Sequence, residues 1–329
     1  MTHGAGGRAM AQLVDELFVA AFDNPILRQQ NDQAMFEVPA GRMVMSTDGY
    51  VVSPLFFPGG DIGSLAVHGT INDVAMAGAR PLYLSASFIL EEGFPLGDLQ
   101  RIVGSMAKAS RDHGVPIVTG DTKVVERGKG DGVFISTTGI GVVPPHVIGP
   151  SGDRARAGDV VLVSGTLGDH GVAILSCREG LSFETRIESD SAALHGLVMR
   201  MVEVAPDLHV LRDPTRGGLS ATLNEVAQQS GVGMMLDEGA LPVREEVRAA
   251  CELLGLDPLH LANEGKLVAI CAPEDAAQVL EVMRTDPLGR NAARIGVVTD
   301  DPHHFVQETT FGGTRLLDWL VGEALPRIC

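Results

Sequence analysis

The segment VFISTTGIG, residues 133–141, decides the fold class of this chain. Apolar residues alternate in it with small or polar ones, which predicts a strand with one buried face and one face that is exposed or covered by a partner. Shorter strand-like stretches precede it at 43–46, 83–89 and 114–119. Helical patterns at 63–77 and 96–112 lie between them, so strands and helices alternate and predict an α/β (α+β) fold.

The second half of the chain continues this mixture of elements. Predicted strands lie at 159–164 and 267–271, and predicted helices lie at 189–204, 217–230, 244–254, 273–285 and 313–322. Residues 144–153 are rich in Pro and Gly, which is typical of a linker. We therefore divide the chain into a glycine-rich segment and helix (1–35), an N-terminal domain (36–145), a C-terminal α/β domain (155–322) and a flexible tail (323–329).

Composition excludes several classes of function. The 329 residues carry 25 Lys and Arg against 42 Asp and Glu, a formal net charge of −17. Such a surface repels nucleic acid and anionic lipid, so neither is expected as a partner. The apolar runs are far shorter than the ~20 residues of a membrane span. The N-terminus lacks the apolar stretch of a signal peptide, so we expect a cytoplasmic protein.

The four cysteines are Cys177, Cys251, Cys271 and Cys329. They form no CxxC pair, so neither a disulfide framework nor a structural zinc site is predicted. The first three are expected to be small buried apolar residues. Cys329 is the last residue of the chain and follows Pro326, which cannot continue a helix. We expect it to end a short tail around which no core forms.

Four short motifs contain candidate binding groups. Asp48 in the segment STDG is placed at a strand end, and Asn72 and Asp73 fall inside an apolar helical pattern. A turn is the simpler interpretation of Asp48, whereas Asn72 and Asp73 are either exposed on the helix or bonded to partners. Asp213 in RDPTRGG precedes a helix, where helix capping is the alternative. Glu264 in NEGK is a possible base, or part of a surface turn.

The segment TGDTK, residues 119–123, is the candidate phosphate loop. It follows the predicted strand end at Val118; its Gly allows close approach of the backbone, its Asp suits Mg²⁺, and its Lys suits phosphate. It lacks the GxxxxGK[ST] spacing of a Walker A loop, and a solvated turn is the alternative. The glycine-rich segment 3–8 resembles a phosphate loop only as much as it resembles a disordered terminus. Carboxylates near glycines, one Lys and an acidic surface together suggest a nucleoside triphosphate held through Mg²⁺.

Longer stretches resemble one known family. They are STDGYVVSPLFFPGGDIGSLAVHGTINDVAMAGARPLYLSASFILEEG (46–93), GVPIVTGDTKVVERG (114–128), ISTTGIGVV (135–143), RDPTRGGLSATLNEVA (212–227) and the terminal PRIC (326–329). The chain closely resembles the HypE family of hydrogenase maturation factors, within the superfamily of aminoimidazole ribonucleotide synthase and selenophosphate synthetase. The resemblance extends over nearly the whole chain, and the GDTKVV, DPTRGG and PRIC segments are specific to this family.

This resemblance implies a two-domain synthase-like fold. The N-terminal domain would pair with its twin across a two-fold axis to form a β-barrel in a homodimer, beside a C-terminal α/β domain. ATP would lie near the dimer interface. The resemblance assigns Mg²⁺ to Asp48, Asp73 and Asp213. It assigns the nucleotide to Asp48, Asn72, Gly120, Asp121, Thr122 and Lys123.

The resemblance also implies a reaction at the last residue. A carbamoyltransferase, HypF, would load a carbamoyl group onto Cys329. The chain, as an ATP-dependent carbamoyl dehydratase, would convert this thiocarbamate to a thiocyanate while ATP becomes ADP and phosphate. Lys123 would neutralise charge during phosphoryl transfer, and Glu264 is the candidate base. The cyano group would pass to iron on a HypC–HypD scaffold complex, for nickel–iron hydrogenases.

Two other functions compete with this one. A different ATP-dependent synthase of the superfamily would phosphorylate an amide or a selenide from a small molecule, but it has no use for a terminal cysteine. A non-catalytic carrier would only tether a group on Cys329 and use its nucleotide cleft as a docking switch. Slow ATP turnover that depends on a carbamoylated Cys329 distinguishes the enzyme from the carrier.

Overall fold

The computed structural model describes residues 7–31, 33–180, 187–319 and 327–329. Its first half contains the strands β1 (Arg42–Tyr50), β2 (Phe56–Phe57), β3 (Gly60–Asp61), β4 (Arg80–Glu91), β5 (Ile117–Val125) and β6 (Val133–Val143). Its helices are α1 (Arg8–Leu13), a π-helical stretch (Val14–Val19), α2 (Ala20–Phe22), a 3₁₀ turn (Leu27–Gln29), α3 (Ile62–Met76) and α4 (Leu96–His113). Four strands form a sheet in the order β1-β6-β4-β5, in which only β4 and β5 are parallel neighbours.

The two faces of this sheet differ as the alternation in residues 133–141 predicts. Val133, Ile135 and Thr137 of β6 are buried beneath helix α3, whereas Ser136 between them is exposed. Glycines let α3 approach closely, since a Cβ at Gly141 would lie 2.5 Å from Val74 Cγ1. The other face of the sheet is open, and it carries exposed apolar side chains: Met43, Met45 and Ile89.

Helix α3 begins with a well-formed cap. The Asp61 side chain accepts hydrogen bonds from the backbone N–H groups of Gly63 and Ser64, at 2.8 and 2.9 Å. The Ser64 hydroxyl contacts the Asp61 backbone in return, which completes a capping box. The cap satisfies N–H groups that a helix start otherwise leaves unpaired. It fixes the helix that carries Asn72 and Asp73.

The second half contains a seven-stranded sheet covered on both faces. Its strands are β7 (Val160–Val163), β8 (Val210–Arg212), β9 (Gly233–Asp237), β10 (Val268–Cys271), β11 (Ala293–Thr299), β12 (Phe305–Glu308) and β13 (Thr314–Leu316), in the order β13-β12-β9-β11-β7-β10-β8. Its helices are α5 (Asp169–Arg178), α6 (His195–Val204), α7 (Gly218–Ser230), α8 (Glu245–Leu254) and α9 (Pro273–Thr285), with 3₁₀ turns at Glu238–Ala240, Pro258–His260 and Pro287–Gly289. Helices α6 and α9 pack on one face and α7 packs on the other. No helix of the described residues is long and apolar enough to cross a bilayer.

The two halves share a core. Val74 and Ala75 near the end of α3 pack in one apolar cluster with Leu197 and Met201 of α6 and with Leu162 of β7. The described part of the segment between β6 and β7 contains no helix or strand. The predicted domain limits of 36–145 and 155–322 remain a proposal that agrees with these two sheets.

Two predicted helices differ from the structure. The helix predicted at 313–322 is instead strand β13 at Thr314–Leu316, because a turn containing Gly312 (φ +82°) brings Thr314 back to pair with Glu308 of β12. Residues 320–326, which complete that prediction and include Pro326, lie outside the described residues. The helix predicted at 189–204 begins only at His195. Residues 187–194 instead form a loop that contacts α3 and the Glu264 segment.

The cysteine prediction is confirmed at two positions and wrong at one. Cys251 and Cys271 are buried. Cys177 is exposed, because it lies in the last turn of α5 on the side that faces solvent. All four cysteines are free.

Candidate active site at the docked C-terminus

The last three residues lie in the cleft between the two domains. The backbone N–H of Val51 donates to the Cys329 carbonyl at 3.1 Å, and that of Ser53 donates to the Arg327 carbonyl at 3.2 Å. Ile328 is only 3% exposed and packs in the N-terminal core. The expectation that no core forms around the end of the chain is therefore wrong. A single apolar side chain, Ile328, anchors these residues in that core.

Residues of the C-terminal domain hold the same segment from the other side. His170 Nε2 lies 2.8 Å from the Ile328 carbonyl oxygen. Arg178 donates to the carbonyl oxygens of both Ser53 and Arg327, and so connects the first domain with the tail. The tail is thus held by contacts from both domains.

The Cys329 thiol faces charged groups. Arg216 Nη2 lies 4.0 Å from Sγ. Burial and then the nearby negative charge of Glu264 raise the pKa of Cys329 to about 12, and Arg216 opposes them. Because the thiolate is the nucleophile, this raised pKa disfavours reaction of the Cys329 thiol where it lies.

Four carboxyl groups surround this end of the cleft: Asp48 of β1, Asp73 of α3, Asp213 after β8 and Glu264 before β10. Burial and then Asp213 raise the pKa of Asp73 to about 7, although Ser46 Oγ donates to Asp73 at 2.8 Å. Burial raises the pKa of Asp213 to about 6, with Asp48 adding to the effect. The structure therefore brings together the three aspartates to which the family resemblance assigns Mg²⁺.

These carboxylates do not form a closed coordination shell. Among the described residues, no group of three His, Cys, Asp or Glu side chains is close enough to hold a metal ion. Burial is the main cause of the raised pKa values of Asp73 and Asp213, and neighbouring carboxylates add to it. Carboxylate oxygens are ligands that Mg²⁺ prefers, usually together with water and phosphate oxygens. The three aspartates offer oxygen atoms of the kind that Mg²⁺ prefers, but among the described residues they do not by themselves form its coordination shell.

Glu264 is held by a buried ion pair that the sequence analysis missed. The Asp190 carboxylate accepts from the Glu264 N–H at 3.1 Å and from Lys266 Nζ at 2.9 Å. Glu264 itself is 3% exposed, and its Oε1 has no hydrogen-bond partner among the described residues. Burial, then Asp190 and the three aspartates of the cleft, raise the pKa of Glu264 well above its usual value. No local pattern links Asp190 to Glu264, because they are far apart in the sequence.

Asn72 connects the two domains. Its Nδ2 donates to the Ala192 carbonyl at 3.0 Å and more weakly to the Glu264 carbonyl at 3.4 Å. Its Oδ1 accepts from the Leu194 N–H at 2.7 Å. Asn72 is 1% exposed, and both amide hydrogens have protein partners. In this arrangement it positions the Glu264 segment, and its assignment as a nucleotide ligand stays a prediction.

The segment from Gly120 to Lys123 is predicted to be a loop, and this is wrong. It is the middle of strand β5. Its glycine is needed for the strand pairing, since a Cβ at Gly120 would lie 2.3 Å from the Ala86 carbonyl oxygen. Asp121 and Lys123 form an exposed ion pair of 2.8 Å. This segment, with Thr122, lines one end of a mainly apolar cavity of about 360 Å³ beneath the N-terminal helices.

Within a single chain, Lys123 lies far from the four carboxyl groups of the cleft. The pairing places Asp48, Thr137, Ala86 and Gly120 in one row across the sheet, with β1 and β5 at opposite edges. Three strand spacings separate the edges, about 14 Å. Lys123 is three residues beyond Gly120, so its side chain leaves the sheet on the face opposite to Asp48. A single chain therefore does not bring Lys123 close to the predicted carboxylates of the cleft.

The raised pKa of Asp73 predicts that this side chain lowers folding stability at neutral and higher pH. The folded chain keeps this proton up to about pH 7, whereas the unfolded chain loses it near 3.8. Folding stability at this site therefore falls as pH rises between those values. We expect Asp73→Asn to stabilise the fold by about 2 kcal/mol at pH 8, and the gain to disappear as pH falls to 4.

Thermal unfolding of Asp73→Asn at both pH values checks this, with Asp300→Asn at an exposed site as the matched control. A melting temperature of Asp73→Asn below that of the wild type at pH 8 contradicts the raised pKa of Asp73.

Comparison with known proteins identifies the family. The family models for the N-terminal and C-terminal domains of AIR synthase related proteins match residues 30–143 and 156–308. The chain is 71% identical over 331 residues to carbamoyl dehydratase HypE of Cupriavidus necator, covering 100% of this chain and 94% of the relative. These matches confirm the predicted relationship and the two-domain α/β fold.

Solved structures agree. A crystal structure of the hydrogenase maturation protein HypE in complex with ATP has a TM-score of 0.96 and 55% sequence identity, covering 100% of this chain and 99% of that one. HypE in a HypE–HypF complex has a TM-score of 0.83 and 48% identity, covering 94% and 99%. The chain therefore belongs to the HypE family of carbamoyl dehydratases, the hydrogenase maturation proteins built on the AIR synthase fold.

Proposed function

We propose that this chain dehydrates a carbamoyl group carried as a thiocarbamate on its own Cys329, using ATP, and so makes the cyanide ligands for the iron of nickel–iron hydrogenases. One observation carries the proposal. The last residue of the chain lies inside the interdomain cleft, with its thiol close to Arg216 and facing Glu264 and Asp48. An enzyme whose substrate is a free small molecule has no reason to bury its own terminus there.

The chemistry suits such a site. The thiocarbamate oxygen attacks the γ-phosphorus of ATP and ADP leaves, which turns a poor leaving group into phosphate. The nitrogen then gives up its protons, the C–O bond breaks and the thiocyanate remains. One proton ends on the phosphate and the other goes to solvent. ADP, phosphate and the Cys329 thiocyanate are the products.

Asp48, Asp73 and Asp213 would hold Mg²⁺ together with phosphate oxygens of ATP. When bound, the ion neutralises the charge of the phosphates during phosphoryl transfer. The three carboxylates supply the negative charge that such an ion requires. ATP binding is supported by the ATP complex of the similar HypE.

The partner subunit would complete the site. Asp48 and Lys123 lie on opposite edges of the four-stranded sheet, and its open face carries the exposed apolar residues Met43, Met45 and Ile89. A two-fold axis that closes two such sheets into a barrel covers this face and joins the edges of the two sheets. We propose a homodimer in which the partner's Lys123 reaches the ATP bound near Asp48.

Two further partners follow from the same chemistry. The docked thiol is partly buried in the cleft and has a raised pKa, and we propose that the tail leaves the cleft to be carbamoylated in a carbamoyltransferase. HypF is the proposed partner, since a similar HypE forms a complex with HypF. A HypC–HypD complex is proposed to accept the cyano group. The free cysteines support a reducing, cytoplasmic location.

Glu264 is proposed to take the proton from the nitrogen of the phosphorylated thiocarbamate. Its position beside Cys329 and its raised pKa suit this role, since a carboxylate with a raised pKa is a stronger base. We expect Glu264→Gln to be carbamoylated like the wild type and to form thiocyanate about 10²-fold more slowly or worse. Because Gln has the same shape and no charge, the fold should persist.

Single-turnover phosphate release and product formation from carbamoylated protein test this and the proposed function together. The wild type should release one phosphate for each thiocyanate that it forms, and Glu246→Gln at the start of α8 serves as the control. Wild-type dehydration by Glu264→Gln would exclude it as the base. Thiocyanate formation without phosphate release would overturn the proposed function.

A further inference from the structure

His170 contacts the tail through a hydrogen bond of defined polarity. It is fully buried on α5, and its Nε2 lies 2.8 Å from the Ile328 carbonyl oxygen. A carbonyl oxygen only accepts, so Nε2 carries the hydrogen. The other ring nitrogen, Nδ1, lies 2.7 Å from Ser189 Oγ and accepts from that hydroxyl in the neutral ring. Burial lowers the pKa of His170, which keeps the ring neutral.

The contacted carbonyl belongs to the peptide that immediately precedes Cys329. Fixing this peptide leaves the backbone φ and the side-chain torsion of Cys329 as the main freedoms that direct Sγ toward Glu264 and Arg216. Phe57 packs edge-on against the His170 ring, with the ring centres 5.6 Å apart, and so restricts its orientation. The ring is therefore held by its neighbours before the tail arrives.

The other contacts to the tail differ in kind. Val51 and Ser53 donate through their backbone N–H groups, so substitution of their side chains does not remove the bonds. Arg178 contacts Arg327, two residues from the end. His170 is a fully buried side-chain donor to the residue next to Cys329.

We propose that His170 is a positioning residue that latches the C-terminal tail in the cleft and sets the fraction of time that Cys329 spends beside Glu264. This rests on the proposed function only for its purpose, since the latch itself is a contact between two parts of the same chain. A stronger latch favours dehydration, and a weaker latch favours delivery of the tail to a partner. Ser189 supports the latch because it fixes which nitrogen of His170 carries the hydrogen.

Alkylation of the full-length protein by iodoacetamide under native conditions measures the latch. Peptide mass spectrometry follows each cysteine: exposed Cys177 is the internal reference, and buried Cys251 and Cys271 report general unfolding. His170→Phe keeps a planar ring and loses the donor, whereas His170→Gln keeps an N–H donor. His195→Phe, a change of the same kind away from the tail, is the matched control.

We expect His170→Phe to raise the alkylation rate of Cys329 about tenfold relative to Cys177, with Cys251 and Cys271 still protected. His170→Gln and His195→Phe should stay close to the wild-type rate, and Ser189→Ala should rise by about threefold. An unchanged Cys329 rate in His170→Phe overturns the latch. So does simultaneous reaction of Cys251 and Cys271 in a folded sample.

If His170→Phe does not fold, Ser189→Ala decides, and a wild-type rate in that variant overturns the proposal. A second readout uses the reaction itself. Carbamoylated His170→Phe should lose water more slowly than the wild type while HypF loads it at least as fast. This split distinguishes a latch from a general loss of stability, which slows both steps. The alkylation result stands even if the chain is not a dehydratase.

Discussion

Cys329→Ala is expected to fold, dimerise and bind ATP like the wild type, and to form no thiocyanate. The substitution removes one half-buried sulfur atom and its contact with Arg216. It leaves the burial of Ile328 and the backbone bonds from Val51 and Ser53 intact. We therefore expect a loss of less than about 1 kcal/mol in the free energy of unfolding. The loss of product is complete, because the atom that carries the carbamoyl group is absent.

The measurement compares the mass of the intact chain after incubation with HypF, carbamoyl phosphate and Mg-ATP. Cys177→Ala is the matched control, because it removes an exposed thiol that does not lie in the cleft. That variant should be modified like the wild type. A carbamoyl or cyano adduct on Cys329→Ala would show that the terminal cysteine is not the carrier.

Lys123→Ala is expected to slow ATP-dependent dehydration about 10²-fold or more, because it removes a positive charge from the phosphates in the transition state. The side chain is exposed, and its ion pair with Asp121 is also exposed, so the fold should not change. Lys129→Ala, an exposed lysine a few residues further along, is the control. Single-turnover conversion of carbamoylated protein gives the rate. Equal rates for the two variants would place the phosphate site elsewhere.

Mixed dimers show which subunit supplies the lysine. Alone, Cys329→Ala should form no product, and Lys123→Ala should form it only at its strongly reduced rate. After exchange of subunits, a mixed dimer pairs an intact Cys329 with the partner's intact Lys123, so random mixing restores about one quarter of the sites. A lysine that acts within its own subunit gives no recovery on mixing. No recovery, with mixed dimers demonstrated by mass, would contradict the proposed shared site.

The predictable parts of this fold have strong local patterns. Residues 133–141 form a strand because their alternation matches the two faces of a sheet. Helix α9 begins at Pro273, which suits the first turn of a helix, and ends at Thr285 as predicted. Helix α5 was missed because its residues from Asp169 to Leu175 are all buried, so the sequence has no amphipathic period. The apolar residues after Gly312 predict a helix, whereas the turn at Gly312 reverses the chain and pairs strand β13 with β12.

The candidate site likewise contains residues that short motifs indicate and residues that only the fold brings together. Short motifs make Asp48, Asp73, Asp213 and Glu264 candidates, and the structure brings these four together. Arg216 lies in the quoted RDPTRGG segment, yet only the fold places it beside Cys329. His170 and Asp190 act across large sequence separations, and no local pattern reveals such contacts. The separation of Lys123 from Asp48 depends on the strand order, which a single sequence does not determine.

Cys329 is proposed to be both the carrier of the carbamoyl group and the site of its dehydration. The most direct test is intact-mass spectrometry of the wild-type chain with HypF and carbamoyl phosphate, before and after addition of Mg-ATP. We predict a carbamoyl adduct that maps to Cys329 and loses the mass of one water only when ATP is added. An adduct that never loses water would leave a non-catalytic carrier. The absence of any adduct on Cys329 would contradict the account and favour a synthase that acts on a small molecule.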